Sequence, residues 1–232
     1  MDSADKLLKY LIVVAGGVGR RMGSETPKQF LPLAGRPLMM HTIDRFVSVC
    51  PKAEIIVVLG KTFVDVWEKL CREHNFITPH RVAEGGTERF YSVRNGLCHV
   101  SKRSLVAVHD AVRPFVSPDT IERCFREAAQ FGNAVPVITP VETVRQVLKT
   151  GNSRMLRRNM LRLVQTPQVF KSEILIQAYS RSFRNSYTDD ASVVEAAGEK
   201  IHMVQGNPEN IKITTQADMI MAEGLLSIQR SC

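Results

Sequence analysis

No run of apolar residues in this 232-residue chain approaches the length of a membrane span, so a bilayer-crossing helix is excluded. The opening residues MDSADKLLKY carry two acidic residues and lead straight toward a candidate strand, which fits neither a secretory signal nor an Arg-rich transit peptide. Cysteine is sparse. Cys50, Cys71, Cys98, Cys124 and Cys232 are odd in number, widely spaced and form no C-x-x-C pair, so neither a disulfide framework nor a zinc site is expected. Together these absences point to a cytoplasmic protein in a reducing compartment. Internal repeats and low-complexity tracts are also missing. Acidic residues are outnumbered, 23 against 31 Lys and Arg, which leaves a formal charge of +8. Such a field favours nucleic acid, a membrane surface or a phosphorylated small molecule, without choosing among them.

What is present suits one compact body with a substantial core. The hydrophobic fraction is 44% and the charged fraction 23%, without the polarity that marks disorder. Apolar, β-branched runs at residues 11–15, 55–59, 105–109 and 134–138 read as buried parallel strands. Helical patterns at 37–49, 62–74, 88–100 and 118–131 alternate with them, the first opening on Pro37. The expected fold is therefore α/β, a mostly parallel sheet with helices on both faces. The rhythm changes after Pro140, where period-two alternation, a Gly-Asn turn signal and a basic segment predict a protruding β-arm over 140–163. The core would then comprise 1–139 and 164–232. In its second part, "VQTPQVF" returns to the sheet, helices follow at 172–182 and 189–197, a strand at 200–204, and a last helix from about Gln216.

The glycine-rich stretch "AGGVGRRMGSETPKQF", residues 15–30, follows the first strand, where phosphates usually bind in such sheets. It lacks the Gly-Lys-Ser/Thr ending of a P-loop. It also lacks the third small residue of a dinucleotide fingerprint, because Met22 stands there. It does hold Arg20, Arg21 and Lys28, a density of cations that suits a triphosphate and its transition state. The plainer alternative is a solvated turn. "VHDAVRPF" puts Asp110 and Arg113 at the carboxyl end of the third strand, where Asp110 would suit Mg²⁺ or merely cap a turn. His109 reads as a hydrogen-bonded strand residue, since no second histidine lies at ligand spacing. In "NIKITTQAD", Lys212 is expected near the end of a short strand, ahead of a Thr215-x-x-Asp218 capping box. Lys149, Arg154, Arg157, Arg158 and Arg162 give the arm a basic character with no aromatic residue interleaved, so base stacking has no platform there.

Six collinear blocks, "AGGVGRRMGSETPKQFLPLAGRPL", "GGTERFYSVRNGL", "VHDAVRPFV", "QTPQVF", "TDDASVVEAAG" and "NIKITTQADMIMAE", resemble the cytidylyltransferases that act on sugar and polyol phosphates, most closely the methylerythritol-phosphate branch of the non-mevalonate isoprenoid pathway. The resemblance implies a Rossmann-like α/β core, CMP transfer from CTP to 2-C-methyl-D-erythritol 4-phosphate with release of pyrophosphate, Mg²⁺ as cofactor, and a homodimer built by arm exchange. It implies Arg21, Lys28 and Lys212 as catalytic cations. Ala15, Gly16 and Gly17 would approach the nucleotide through backbone, Gly86, Thr87 and Ser92 would meet cytosine, and Asp110 would lie near ribose and metal. Ala111, Arg113 and Thr166 would face the polyol phosphate, with Thr143 and Arg158 reaching it from the partner subunit. Arg157 rivals Arg158, because Arg157-Arg158-Asn159 stands where the family commonly has Asp-Arg. Two rival readings are a ribitol 5-phosphate cytidylyltransferase, which shares the loop and "HDAVRPF", and a basic RNA-binding protein.

Overall fold

The computed structural model describes residues 7–15 and 26–231. Gly16, Gly17, Arg20, Arg21 and Met22 lie outside the described residues, so their expected roles have no geometry here. In chain order the elements are β1 (Leu8–Val14), a small hairpin of β2 (Pro32–Leu33) and β3 (Arg36–Pro37), α1 (Leu38–Val49), β4 (Glu54–Leu59), α2 (Val64–Glu73), β5 (Arg81–Glu84) and α3 (Arg89–Leu97). These are followed by β6 (Ser104–Asp110), α4 (Pro118–Phe131), β7 (Asn133–Ile138), β8 (Arg145–Val147), β9 (Ser153–Met155), β10 (Leu163–Val164), β11 (Gln168–Lys171), α5 (Ser172–Tyr179), α6 (Asp190–Ala196), β12 (Met203–Gln205) and α7 (Gln216–Ser231).

An eight-stranded sheet carries the fold, with β1 at its centre between β4 and β6, both parallel to it. β5 extends the parallel set beyond β4, while on the other side β11 runs antiparallel between β6 and β7. β10 pairs with the far end of β7, and β12 runs parallel to it. Because β1 is buried on both faces, its residues divide between two cores: Leu11 and Val13 pack with α1, α2 and α4, and Tyr10 and Ile12 pack with α3, α5 and α6. That two-sided burial is why the strand reads as a continuous apolar run instead of an alternating one. The Rossmann-like expectation is met.

Local differences from the sequence reading have identifiable causes. Pro37 closes β3 in extended geometry, so α1 starts one residue later. β5 escaped notice because it is only four residues long and mostly not buried. Lys212 does not end a strand: its neighbour Ile213 makes one backbone bond to Val112 (3.0 Å), and no ladder forms. The returning segment is split at Gln165–Pro167: Gln165 N–H still donates to Pro136 O (2.8 Å), the Gln165 and Thr166 side chains bond Asn207 O and His109 Nδ1, and the Thr166–Pro167 peptide is cis. The β8–β9 hairpin forms a separate two-stranded sheet of exposed residues, turned between Leu148 and Asn152, with Gly151 at φ +83°. No helix among the described residues is long and apolar enough to cross a membrane.

The chain leaves β1 toward β4 on one side and later crosses back to β6 on the other. The carboxyl ends of β1 and β6 therefore flank a crevice of the kind in which open α/β sheets bind ligands. Ala15 and Ala111 sit at its floor, held by Ala15 N–H to Val58 O (2.9 Å) and Ala111 N–H to Val14 O (3.2 Å).

Candidate functional site

The crevice opens into a cavity of about 300 Å³. Ala15, Asp110 and Ala111 form its base, Lys28 and Gln29 one wall, residues 86–89 and Ser92 another, and Lys212 its rim. Asp110 is the electrostatic centre. Its Oδ2 lies 3.0 Å from Lys212 Nζ and 3.1 Å from Arg113 Nε, and its Oδ1 lies 3.9 Å from Arg89 Nε. Burial alone would raise the Asp110 carboxyl, but these cations outweigh it and hold the group well below the usual carboxylate range. The carboxylate is ionised at any physiological pH.

Around Asp110 the backbone is tied down by side chains. Its own N–H donates to Thr166 Oγ1 (3.1 Å), Thr166 Oγ1 also bonds His109 Nδ1 (2.9 Å), and His109 Nε2 meets Arg113 O (3.0 Å). Arg113 Nη1 donates to Asn210 O (2.7 Å), and Asn210 Nδ2 donates to Thr166 O (2.8 Å). Burial lowers the His109 pKa to about 4, so the ring is neutral at physiological pH. As expected for a strand histidine, its two nitrogens are satisfied inside the protein.

The opposite wall is built by the loop before α3. Gly86 N–H donates to Ser92 Oγ (3.0 Å), and Ser92 Oγ donates to Glu88 O (3.2 Å), so this hydroxyl is spent on the loop rather than turned toward a ligand. Gly86 is required by proximity: a Cβ there would stand 2.2 Å from Tyr91 Cβ. Arg89 opens α3 and makes a bidentate pair with Asp190 (2.8 and 2.7 Å), which also accepts from Tyr179 Oη (2.6 Å). Burial opposes the Arg89 charge, but Asp190 and Asp110 raise its pKa and keep it cationic. Gln29, buried in the wall, donates from Nε2 to Ala15 O (2.8 Å) and so fixes where β1 ends.

A small cavity with backbone at its floor, Lys28 in its wall, Arg89, Arg113 and Lys212 around one carboxylate, and a Ser92 hydroxyl spent on its own loop is built for polyphosphate binding and charge neutralisation. Among the described residues, no group of three or more His, Cys, Asp or Glu stands ready to hold a metal without ligand oxygens.

Against this geometry, the family model for 2-C-methyl-D-erythritol 4-phosphate cytidylyltransferase matches residues 10–228. The chain belongs to this family. The protein of that name from Bacteroides fragilis is 50% identical over 220 residues, covering 95% of this chain and 100% of that one. Among solved structures, 4-diphosphocytidyl-2C-methyl-D-erythritol synthase from Anaerococcus prevotii superposes with a TM-score of 0.82 at 26% identity, over 97% of this chain and 98% of that one. The Thermus thermophilus 2-C-methyl-D-erythritol 4-phosphate cytidylyltransferase gives 0.76 at 31% identity, over 95% and 100%.

In this cytidylyltransferase chain, the cavity brings together Ala15, Lys28, Gly86, Thr87, Ser92, Asp110, Ala111 and Lys212 from segments far apart in sequence. Arg113 and Thr166 stand behind Asp110 and touch the cavity through it. Thr143 and Arg158 do not line this cavity; both are exposed beside the hairpin, where Arg158 Nη1 donates to Val141 O. Sequence reasoning missed Gln29, Arg89 and Asp190. Arg89 and Asp190 fall inside two of the six blocks, but each stands beside another charged residue, Glu88 and Asp189, so nothing local marks it as half of a buried pair.

Proposed function

We propose that the chain transfers CMP from CTP to 2-C-methyl-D-erythritol 4-phosphate, giving 4-diphosphocytidyl-2-C-methyl-D-erythritol and pyrophosphate in the cytoplasm. The observation that carries this reading is the clustering of Arg89, Arg113 and Lys212 around Asp110 at the crevice between β1 and β6, with Lys28 in the wall of the same cavity. The names of the relatives favour the methylerythritol acceptor over ribitol phosphate.

In the reaction, an oxygen of the acceptor phosphate attacks the α-phosphorus of CTP, a new P–O bond forms, and the bond to pyrophosphate breaks. A phosphate monoester is already anionic at neutral pH, so no side-chain base is needed. Backbone groups of residues 86–88, placed by Ser92, would meet a pyrimidine edge and select cytosine over a purine. Lys28 and Lys212, with Arg21 from the glycine-rich loop, neutralise charge that builds on the phosphorus oxygens. For Lys212 to do so it exchanges its bond to Asp110 Oδ2 for one to phosphate, a short movement for a flexible ammonium that is about 43% exposed.

Mg²⁺ fits this site only together with the nucleotide. Asp110 Oδ2 is already shared by two cations, while Oδ1 has only the more distant Arg89 Nε at 3.9 Å, and magnesium accepts a single carboxylate plus phosphate oxygens. When bound it would shield the triphosphate and polarise the departing pyrophosphate. The arm would pair two copies of the chain and bring Thr143 and Arg158, or Arg157 in its place, to the partner's acceptor.

Phosphorus NMR of the protein with CTP, Mg²⁺ and 2-C-methyl-D-erythritol 4-phosphate tests the proposal. The diphosphate diester and pyrophosphate should appear in equal amounts. Lys28→Ala should slow their appearance about 100-fold or more with an unchanged unfolding transition; near-normal turnover would remove Lys28 from the mechanism. RNA binding that weakens steeply with salt, in a protein without transfer activity, would favour the basic-arm reading instead.

A further inference from the structure

His109 is hydrogen-bonded in a way that only one neutral tautomer satisfies. Its Nε2 lies 3.0 Å from the Arg113 carbonyl oxygen, which can only accept, so Nε2 carries the proton. The ring is fully buried, packs on Phe46 at 4.9 Å between centroids, and has no carboxylate on either nitrogen. Nδ1 is then an acceptor, and the Thr166 hydroxyl 2.9 Å away must donate to it. The same oxygen accepts the Asp110 N–H at 3.1 Å. Thr166 has therefore spent its only proton inside the protein and can offer a ligand no more than a lone pair.

We propose that His109 is a positioning residue for the acceptor-phosphate half of the site. Its Nε2–H holds the backbone that carries Arg113, and its Nδ1 holds the hydroxyl of Thr166, so two segments 53 positions apart are kept in one register on either side of Asp110. Asn210 closes the ring, donating to Thr166 O while its own carbonyl takes Arg113 Nη1. The nucleotide half has separate pins, Ser92 within its loop and Asp190 on Arg89. Damage at His109 should therefore fall more on the polyol phosphate than on CTP, because Asp110, whose N–H Thr166 also holds, keeps its place in β6 beside Val14 of β1. This role rests on the proposed transfer reaction.

The two bonds can be removed one at a time, because asparagine places an amide where Nδ1 was and glutamine places one where Nε2 was. His109→Asn keeps an acceptor for Thr166, and His109→Gln keeps a donor for Arg113 O. Each should raise KM for 2-C-methyl-D-erythritol 4-phosphate about tenfold, and His109→Phe about 100-fold, with KM for CTP within about twofold of wild type. Adding His109→Gln to Thr166→Val should cost nothing beyond Thr166→Val alone, since the bond that glutamine loses is already gone. In the unmodified protein, nitrogen-15 NMR should show His109 protonated at Nε2 with an unprotonated Nδ1, a readout independent of activity. An Nδ1–H tautomer, or KM values for both substrates rising in step, would overturn the role. Wild-type protein that bears this tautomer but transfers no CMP would overturn the reaction, and the acceptor role with it, while leaving the hydrogen-bond lock in place.

Discussion

Gly86 shows how little freedom individual residues have at this site. A methyl group there would collide with Tyr91 Cβ at 2.2 Å, and the collision can be relieved only by shifting the loop whose N–H donates to Ser92. Gly86→Ala should raise KM for CTP about tenfold or more while leaving KM for the acceptor near wild type, as read from initial rates of pyrophosphate release. The residues that the sequence made legible were those at chemically marked places: Lys28 in a cationic turn, Asp110 at the end of an apolar strand, Lys212 before a capping box. The Ser92 and Thr166 hydroxyls were legible as polar groups near the ligand, but their direction was not. Whether a hydroxyl faces a ligand or its own backbone is decided by where its proton goes, and that depends on Glu88 O and His109 Nδ1, groups that spacing alone does not bring into view.

Among the elements, α3 and α6 depend on each other through one buried ion pair. Asp190 is 0% exposed and takes both Arg89 Nη atoms, while Asp189 caps α6 and accepts from Gln168 Nε2 (2.8 Å). Removing the buried charge leaves the Arg89 guanidinium with only the more distant Asp110 carboxylate (3.9 Å), so Asp190→Asn should lower stability by about 3 kcal/mol, measured as a shift in the urea midpoint. At the other end of the chain, α7 begins with the reciprocal bonds foreseen in sequence: Thr215 N–H to Asp218 Oδ2 (2.8 Å) and Asp218 N–H to Thr215 Oγ1 (3.2 Å). Partial burial would raise the Asp218 pKa, but the N–H and hydroxyl donors of Thr214 and Thr215 lower it overall. A carboxyl whose folded pKa lies below its unfolded value adds stability above the unfolded pKa and loses it as pH falls through the folded one. Asp218→Asn should therefore cost about 1 kcal/mol at neutral pH, and the difference from wild type should vanish in acid below the carboxylate range.

Elements were readable where their signals are local. α4 has Ser117 as a cap whose Oγ accepts from Thr120 N–H (3.2 Å), Pro118 at its first turn and Gly132 just after it, and its expected bounds match those observed. β5 has no such punctuation, and the strand expected at 200–204 shifted to Met203–Gln205, because a short edge strand begins where its partner β7 allows pairing and not where its own sequence changes.

For the molecule as a whole, alternation of strands and helices announced an α/β sheet, but not the order of its strands. The antiparallel placement of β11 between β6 and β7 pairs residues 35 to 66 positions apart, invisible to any local pattern. Exposed Val147, Met155 and Met160 mark the hairpin region as apolar as well as basic, a surface suited to a second copy of the chain. If the arm acts in trans, mixing inactive Arg158→Ala and inactive Lys212→Ala proteins and allowing exchange should restore about a quarter of wild-type activity, since half the dimers then carry one intact site of two. Activity that stays absent after proven exchange would place Arg158 outside the partner's site.

The central claim is that this crevice joins CTP, and no other nucleotide, to a methylerythritol phosphate. Pyrophosphate release measured with CTP, UTP, ATP and GTP, each against 2-C-methyl-D-erythritol 4-phosphate and ribitol 5-phosphate in the presence of Mg²⁺, tests it most directly. The account predicts rapid release only for CTP with the methylerythritol acceptor. Equal release with a purine nucleotide, or faster release with ribitol 5-phosphate, would contradict it.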